Sequence, residues 1–152
     1  MDKQSLKLQL YNQCIDYVDK HIVNAQQAMN NATESGNDET KSSAGDKHET
    51  GRAMAQLEQE KSAKQLHEAV ELKNSLLKIS INQQSEKVSL GSLVITDKTN
   101  FYITIATGKM LIEDQIYFAI SPNSPIGKAL MGKSYGQKVN FNEEEYSIKN
   151  IL

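Results

Sequence analysis

The sequence predicts an α+β protein: an N-terminal antiparallel coiled-coil helical hairpin, then a small, mostly antiparallel β domain with one short helix. Three features carry that expectation. Apolar residues near the start recur at alternating steps of three and four. The runs rich in β-branched and aromatic residues, and both prolines, lie in the second half. Between two helical stretches, Thr33 to Gly51 loses the period and is dominated by turn-forming residues.

The first helix is read from Leu8, Tyr11, Ile15, Val18, Ile22, Ala25, Met29 and Ala32. Those spacings form the a/d seam of a coiled coil, with charged and amide residues on the other faces. About 30 residues of such helix extend roughly 45 Å. Helical composition resumes in "RAMAQLEQEKSAKQLHEAVELKNSLLKI". Here Ala63, Leu66, Val70 and Leu77 mark one stripe, and Ala69, Leu72, Leu76 and Ile79 a second. The expected division is a hairpin over 1–80, with its tip loop at about 33–47, and a C-terminal domain over 84–152.

In that second part, "SLGSLVITD", "NFYITIA", "KMLIED", "IYFAIS", "QKVNF" and "EYSIKNIL" read as strands. Turn signals separate them, and hairpin connections are expected at Glu113-Asp114-Gln115 and around Asn142–Glu144. "SPIGKALMG" reads as a short helix: Ser124 suits the N-cap, Pro125 the first helical position and Gly132 the position after the stop.

Composition narrows the function. The chain has 152 residues, a formal charge of −2, 6 % aromatic residues and no Trp. Direct grip on nucleic acid needs clustered Lys and Arg, so a basic nucleic-acid surface is not expected. One cysteine, Cys14, excludes an internal disulfide, and His21, His48 and His67 lack zinc-type spacing. No apolar run approaches the roughly 20 residues of a membrane span, so a cytoplasmic chain without a membrane partner is expected. A hairpin buries its own seam, which makes a monomer the expectation.

The chemistry-bearing stretch is "GDKHETGRA", where Asp46 and Glu49 stand three residues apart. Two readings share that geometry. In one, the pair is a capping box: Asp46 accepts from a backbone N–H of the first turn and Glu49 reaches back. That stabilises a helix start by about 0.5–2 kcal/mol. In the other, both carboxylates lie on one helix face. Their mutual repulsion is removed by a divalent cation, and hard oxygen donors suit Mg²⁺. His48 between them, and Asp38 and Glu39 before them, read most simply as polar loop residues, and Met29 and Met54 as packing residues. Cys14 reads as a small apolar group beside the seam.

The order of hairpin and β domain, with "SPIGKALMGKSYGQKVNF" and "VSLGSLVIT", closely resembles the Gre transcript-cleavage factors. Ser124 to Lys133 follow that family's C-terminal signature throughout, and the match spans roughly Val88 to Ile148. The resemblance implies an FKBP-like C-terminal domain that docks on bacterial RNA polymerase, with Ser124, Pro125, Ile126, Gly127 and Lys128 in the docking segment. It implies a coiled coil that enters the polymerase secondary channel and brings Asp46 and Glu49 to the active centre. There they would act in trans as catalytic and metal-binding residues, in indirect contact with nascent RNA. The chain would be an accessory factor rather than an enzyme. It would have no cofactor of its own, sharing Mg²⁺ with the polymerase. The family's tip keeps Gly-Asp and a Glu three residues on, as Gly45, Asp46 and Glu49 do here. This chain departs at Lys47 and at Thr50-Gly51-Arg52, and lacks the tip tyrosine.

Two alternatives follow from those departures and from the coiled coil. One is a Rnk-like regulator that occupies the channel without cleavage; the other is a coiled-coil adaptor, for which a pull-down lacking polymerase would speak. Prolyl isomerase activity, which an FKBP-like domain brings to mind, is not expected: the aromatics alternate within strands as core residues and no Trp is available for a pocket floor.

Overall fold

The computed structural model describes residues 2–40 and 45–152, with the backbone alone at 37–40 and 45–49. The elements in chain order are α1 (Lys3–Thr40), α2 (Gly45–Leu77), β1 (Leu93–Thr96), β2 (Asn100–Ile103), β3 (Gly108–Ile112), β4 (Gln115–Ile120), α3 (Pro125–Leu130), β5 (Lys138–Phe141) and β6 (Glu144–Ile151). A long helical pair is thus followed by a six-stranded sheet. The chain divides into two compact units, Val18–Lys73 and Met1–Tyr17 with Asn74–Leu152.

In the helical unit α1 and α2 run antiparallel. Lys73 Nζ lies 2.7 Å from Asp19 Oδ1, and Gln59 Nε2 donates to Thr33 Oγ1 at 2.7 Å. A Cβ built on Gly36 would sit 3.5 Å from Ala55 Cβ. Stepping forward along α1 therefore steps back along α2. Val18, Ala25 and Ala32 are buried on α1, and Ala55, Ser62 and Ala69 on α2. Each set repeats every seven residues, the period of a coiled-coil seam.

Three expectations are corrected here. The expected tip loop at 33–47 is largely helical, because α1 continues to Thr40 and α2 starts at Gly45. Gly36 and Thr33 disfavour helix on propensity alone. Packing overrides that preference: Gly36 faces Ala55, and Thr33 Oγ1 donates to Met29 O while accepting from Gln59. Second, in the stripe through Ala63, Leu66, Val70 and Leu77, Leu66 is half-buried and the other three are exposed. The true α2 seam passes through Gln59, Ser62 and Lys73, and a search for apolar residues skips these. Third, Leu8 is 46 % exposed, whereas Leu10 and Cys14 are fully buried.

The second unit explains that last shift. Here the start of α1 lies against the sheet: Gln13 Nε2 donates to Leu111 O at 3.2 Å, and Cys14 Sγ is 3.7 Å from Thr104 Oγ1. Tyr11 OH donates to Leu76 O at 3.1 Å, joining the end of α2. The face of α1 carrying Leu10 and Cys14 is the one turned inward.

The sheet has the order β3-β4-β2-β1-β6-β5. All pairings are antiparallel except β2 with β4, which are parallel. The sheet is therefore mixed, because β3 forms the outer edge and β4 returns inside it beside β2. Two-residue loops join β3 to β4 and β5 to β6 where the turn signals lie. Glu113, Asp114, Asn142 and Glu143 all have positive φ, as the mirror-image turns that match strand twist require. Phe101, Tyr102 and Ile103 of β2 are all buried, so both sheet faces are covered. On one face Val94, Phe101, Ile103 and Ile148 form a core with Leu130 of α3.

Candidate functional site

The segment Ser124–Lys128 is positioned by its own capping. Ser124 has extended backbone, with φ −67° and ψ 159°. Its hydroxyl accepts from the Gly127 N–H at 3.1 Å and donates to Ser121 O at 2.6 Å. Pro125 follows at the first helical position, where a missing N–H costs nothing. The Ile126 side chain packs partly buried against the core. Gly127 is buried, and a Cβ there would lie 2.1 Å from Ser121 O. Leu130 is fully buried, and Gly132 takes φ +80° just past the helix end. Its N–H then donates to Val88 O, and Val88 N–H to Lys133 O, tying the exit strand of chain back to the entrance of the domain.

The five residues are therefore brought together on one short turn. Ser124 and Gly127 are committed to holding it, and Pro125 and Lys128 present exposed surface. Much of the signature is thus accounted for by folding alone: a cap, a helix-starting proline, a close approach, a core leucine and a left-handed stop. Beyond it, Tyr135 is 73 % exposed.

Asp46 and Glu49 fall in the first turns of α2, which begins at Gly45. That places Asp46 inside the helix rather than at the N-cap that the capping-box reading requires. Their side chains, with those of Asp38, Glu39 and His48, lie outside the described residues. Met29 is half-buried, but Met54 is 63 % exposed and lines a shallow groove with Ala28, Ala32 and Ala55. Among the described residues no three His, Cys, Asp or Glu side chains gather as a metal-ligand set.

Two buried polar features went unnoticed in the sequence. Cys14 belongs to a cluster with Thr104 and Tyr102, all at most 4 % exposed. Burial pushes the Cys14 thiol up from its ordinary range. It pushes the Tyr102 phenol up as well, with smaller contributions from Cys14 and Tyr11. The Tyr102 hydroxyl has no hydrogen-bond partner among the described residues. The other feature is Lys7, which is 4 % exposed and whose ammonium is disfavoured by burial. Its signal was its place in the heptad: steps of four, three and four lead from Lys7 through Tyr11 and Cys14 to Val18.

No protein-family model matches the chain, and no curated protein matches it. Among solved structures, that of the transcription factor Gfh1 is similar over 93 % of this chain and 92 % of that one. The two are 18 % identical with a TM-score of 0.34, too low for the superposition to bear on function. No helix among the described residues is long and apolar enough to cross a membrane.

Proposed function

We propose that the chain is a Gre-type transcription elongation factor. In this reading it binds bacterial RNA polymerase, inserts its helical hairpin into the secondary channel and stimulates cleavage of backtracked RNA. The observation that carries the reading is the run Ser124–Lys133, which matches the Gre signature position by position and folds with each residue in a defined role. The element order, a long antiparallel helical pair and then the sheet, supports it. So do Asp46 and Glu49 at family spacing near the start of α2.

The division of labour follows from the donor set. Two carboxylates offer hard oxygens and repel one another, a repulsion that a divalent cation between them removes. Mg²⁺ shared with the polymerase would neutralise them and supply an activated water. Asp46 and Glu49 would hold and orient the ion, and the polymerase would bind the phosphodiester and carry the reaction. Localisation in the cytoplasm and action as a monomer belong to the same proposal.

A second reading is favoured by one observation. Lys47 and Thr50-Gly51-Arg52 replace the family's apolar and acidic tip residues, which fits channel occupancy without cleavage. Both readings require the polymerase. Gel filtration of the chain with bacterial core polymerase tests that shared premise: co-elution is expected, weakened by Lys128→Glu, and separate elution at micromolar concentrations of both overturns it.

A further inference from the structure

We infer that the second unit carries a binding site for a small oxyanion of the phosphate class, built around the buried amine of Lys7. Lys7 is 4 % exposed, yet its Nζ makes one long hydrogen bond, 3.4 Å to Gln83 O. An ammonium group has three donors, and charge-assisted bonds are ordinarily near 2.8 Å. The ion pairs among the described residues, Lys73–Asp19 and Lys138–Glu145, lie elsewhere. A buried charge without a counter-charge is costly. Lys7 is thus an ammonium in want of an anion.

The space beside it is built to take one. A cavity of about 70 Å³ is lined by Lys3, Gln4, Lys7, Asn82 and Gln84, and on its other side by Ile81, Ile151 and Leu152. That volume has room for a few water molecules, the scale of a small ion such as phosphate. Two ammonium groups match a doubly charged anion better than a carboxylate, and three amide side chains offer further donors. The start of α1 is not itself the site, because Asp2 Oδ1 already accepts from the Gln4 N–H at 2.8 Å. Burial lowers the pKa of the Lys7 amine, and a bound anion would reverse that shift.

The test is calorimetric titration of the full chain, at fixed ionic strength, with inorganic phosphate and separately with a nucleoside triphosphate. Wild type is compared with Lys7→Met and Asn82→Ala. Wild type is expected to bind one phosphate, with affinity falling at least tenfold in Lys7→Met and severalfold in Asn82→Ala. Lys7→Met nearly keeps the side-chain length while removing the buried charge, and is expected to retain the wild-type circular dichroism and to melt no lower than wild type. Asn82 lies outside every helix and strand, and its side chain meets α1 through a long 3.5 Å bond accepted from Gln4 Nε2, so its variant tests the site at little cost to the helix. Tighter binding of the triphosphate identifies a ligand's terminal phosphate; tighter binding of inorganic phosphate identifies the free ion. Equal affinity in all three proteins, or no binding of either probe to wild type, overturns the site.

Discussion

The carbonyl oxygen of Ser121 stands 2.1 Å from where a Cβ on Gly127 would be. No side chain fits there, and the obstacle is backbone rather than a movable side-chain end. Gly127→Ala must therefore push α3 away from the turn that precedes it, at a cost of about 1–3 kcal/mol or more. Urea unfolding followed by far-UV circular dichroism is expected to show a lower midpoint. An unchanged midpoint would contradict the close approach.

Ser124 fixes the same turn by a different means. Ser124→Ala removes both the cap on Gly127 N–H and the bond to Ser121 O, with an expected loss of about 1 kcal/mol. Ser124→Asp keeps an acceptor for the cap but no donor for Ser121, and is expected to fall between wild type and Ala in urea midpoint.

The α2 seam is tested by two neighbouring alanine positions. Ala69 is 4 % exposed, while Ala63 is exposed. Ala69→Leu overpacks and should cost about 1–3 kcal/mol; Ala63→Leu should change stability by less than about 0.5 kcal/mol. Thermal melts of the two variants distinguish the two stripes that the apolar pattern offers, placing the seam at Ala69 rather than at Ala63.

The buried Tyr102 hydroxyl has lost water without gaining a partner. Removing it costs no hydrogen bond, so Tyr102→Phe is expected to be neutral or stabilising by about 1 kcal/mol. Tyr102→Ala, which also empties the ring's space, should lose about 3–5 kcal/mol. A clear destabilisation by Tyr102→Phe would mean that the hydroxyl is engaged.

Cys14 and Tyr102 also set the alkaline behaviour. Both hold their protons more tightly folded than unfolded. Their contribution is complete below the unfolded values, about 8.5 for Cys and about 10 for Tyr. It is lost as pH rises from there towards the raised folded values, because the folded chain then binds more protons than the unfolded one. The urea midpoint should fall between pH 8 and pH 10.5, and fall less in Cys14→Ala/Tyr102→Phe. As the chain's single cysteine, Cys14 should also react with a thiol reagent only on unfolding.

The six strands, both hairpin turns and the caps of α3 were legible in the sequence. Each is set locally, by alternation, turn residues or a serine–proline pair. What was missed depends on partners distant along the chain. Gln59 and Lys73 occupy seam positions because Thr33 and Asp19 satisfy them. Gly36 stays helical because Ala55 faces it. Leu8 yields its place to Leu10 and Cys14 because the buried Thr104 lies on the inner side. Lys7 reads as an ordinary surface lysine until the cavity beside it is seen. Of the candidate site, the Ser124–Lys128 turn was readable because its residues also fold it. The parallel pairing of β2 with β4 carries no local mark at all.

The most direct measurement is RNA cleavage in backtracked polymerase complexes with an extruded 3′ end, in the presence of Mg²⁺. The wild-type chain is expected to shorten the transcript, and Asp46→Ala/Glu49→Ala to bind the polymerase but leave the RNA intact. Transcripts left equally long by both proteins, although both bind, would contradict the carboxylate mechanism and leave occupancy of the channel in its place.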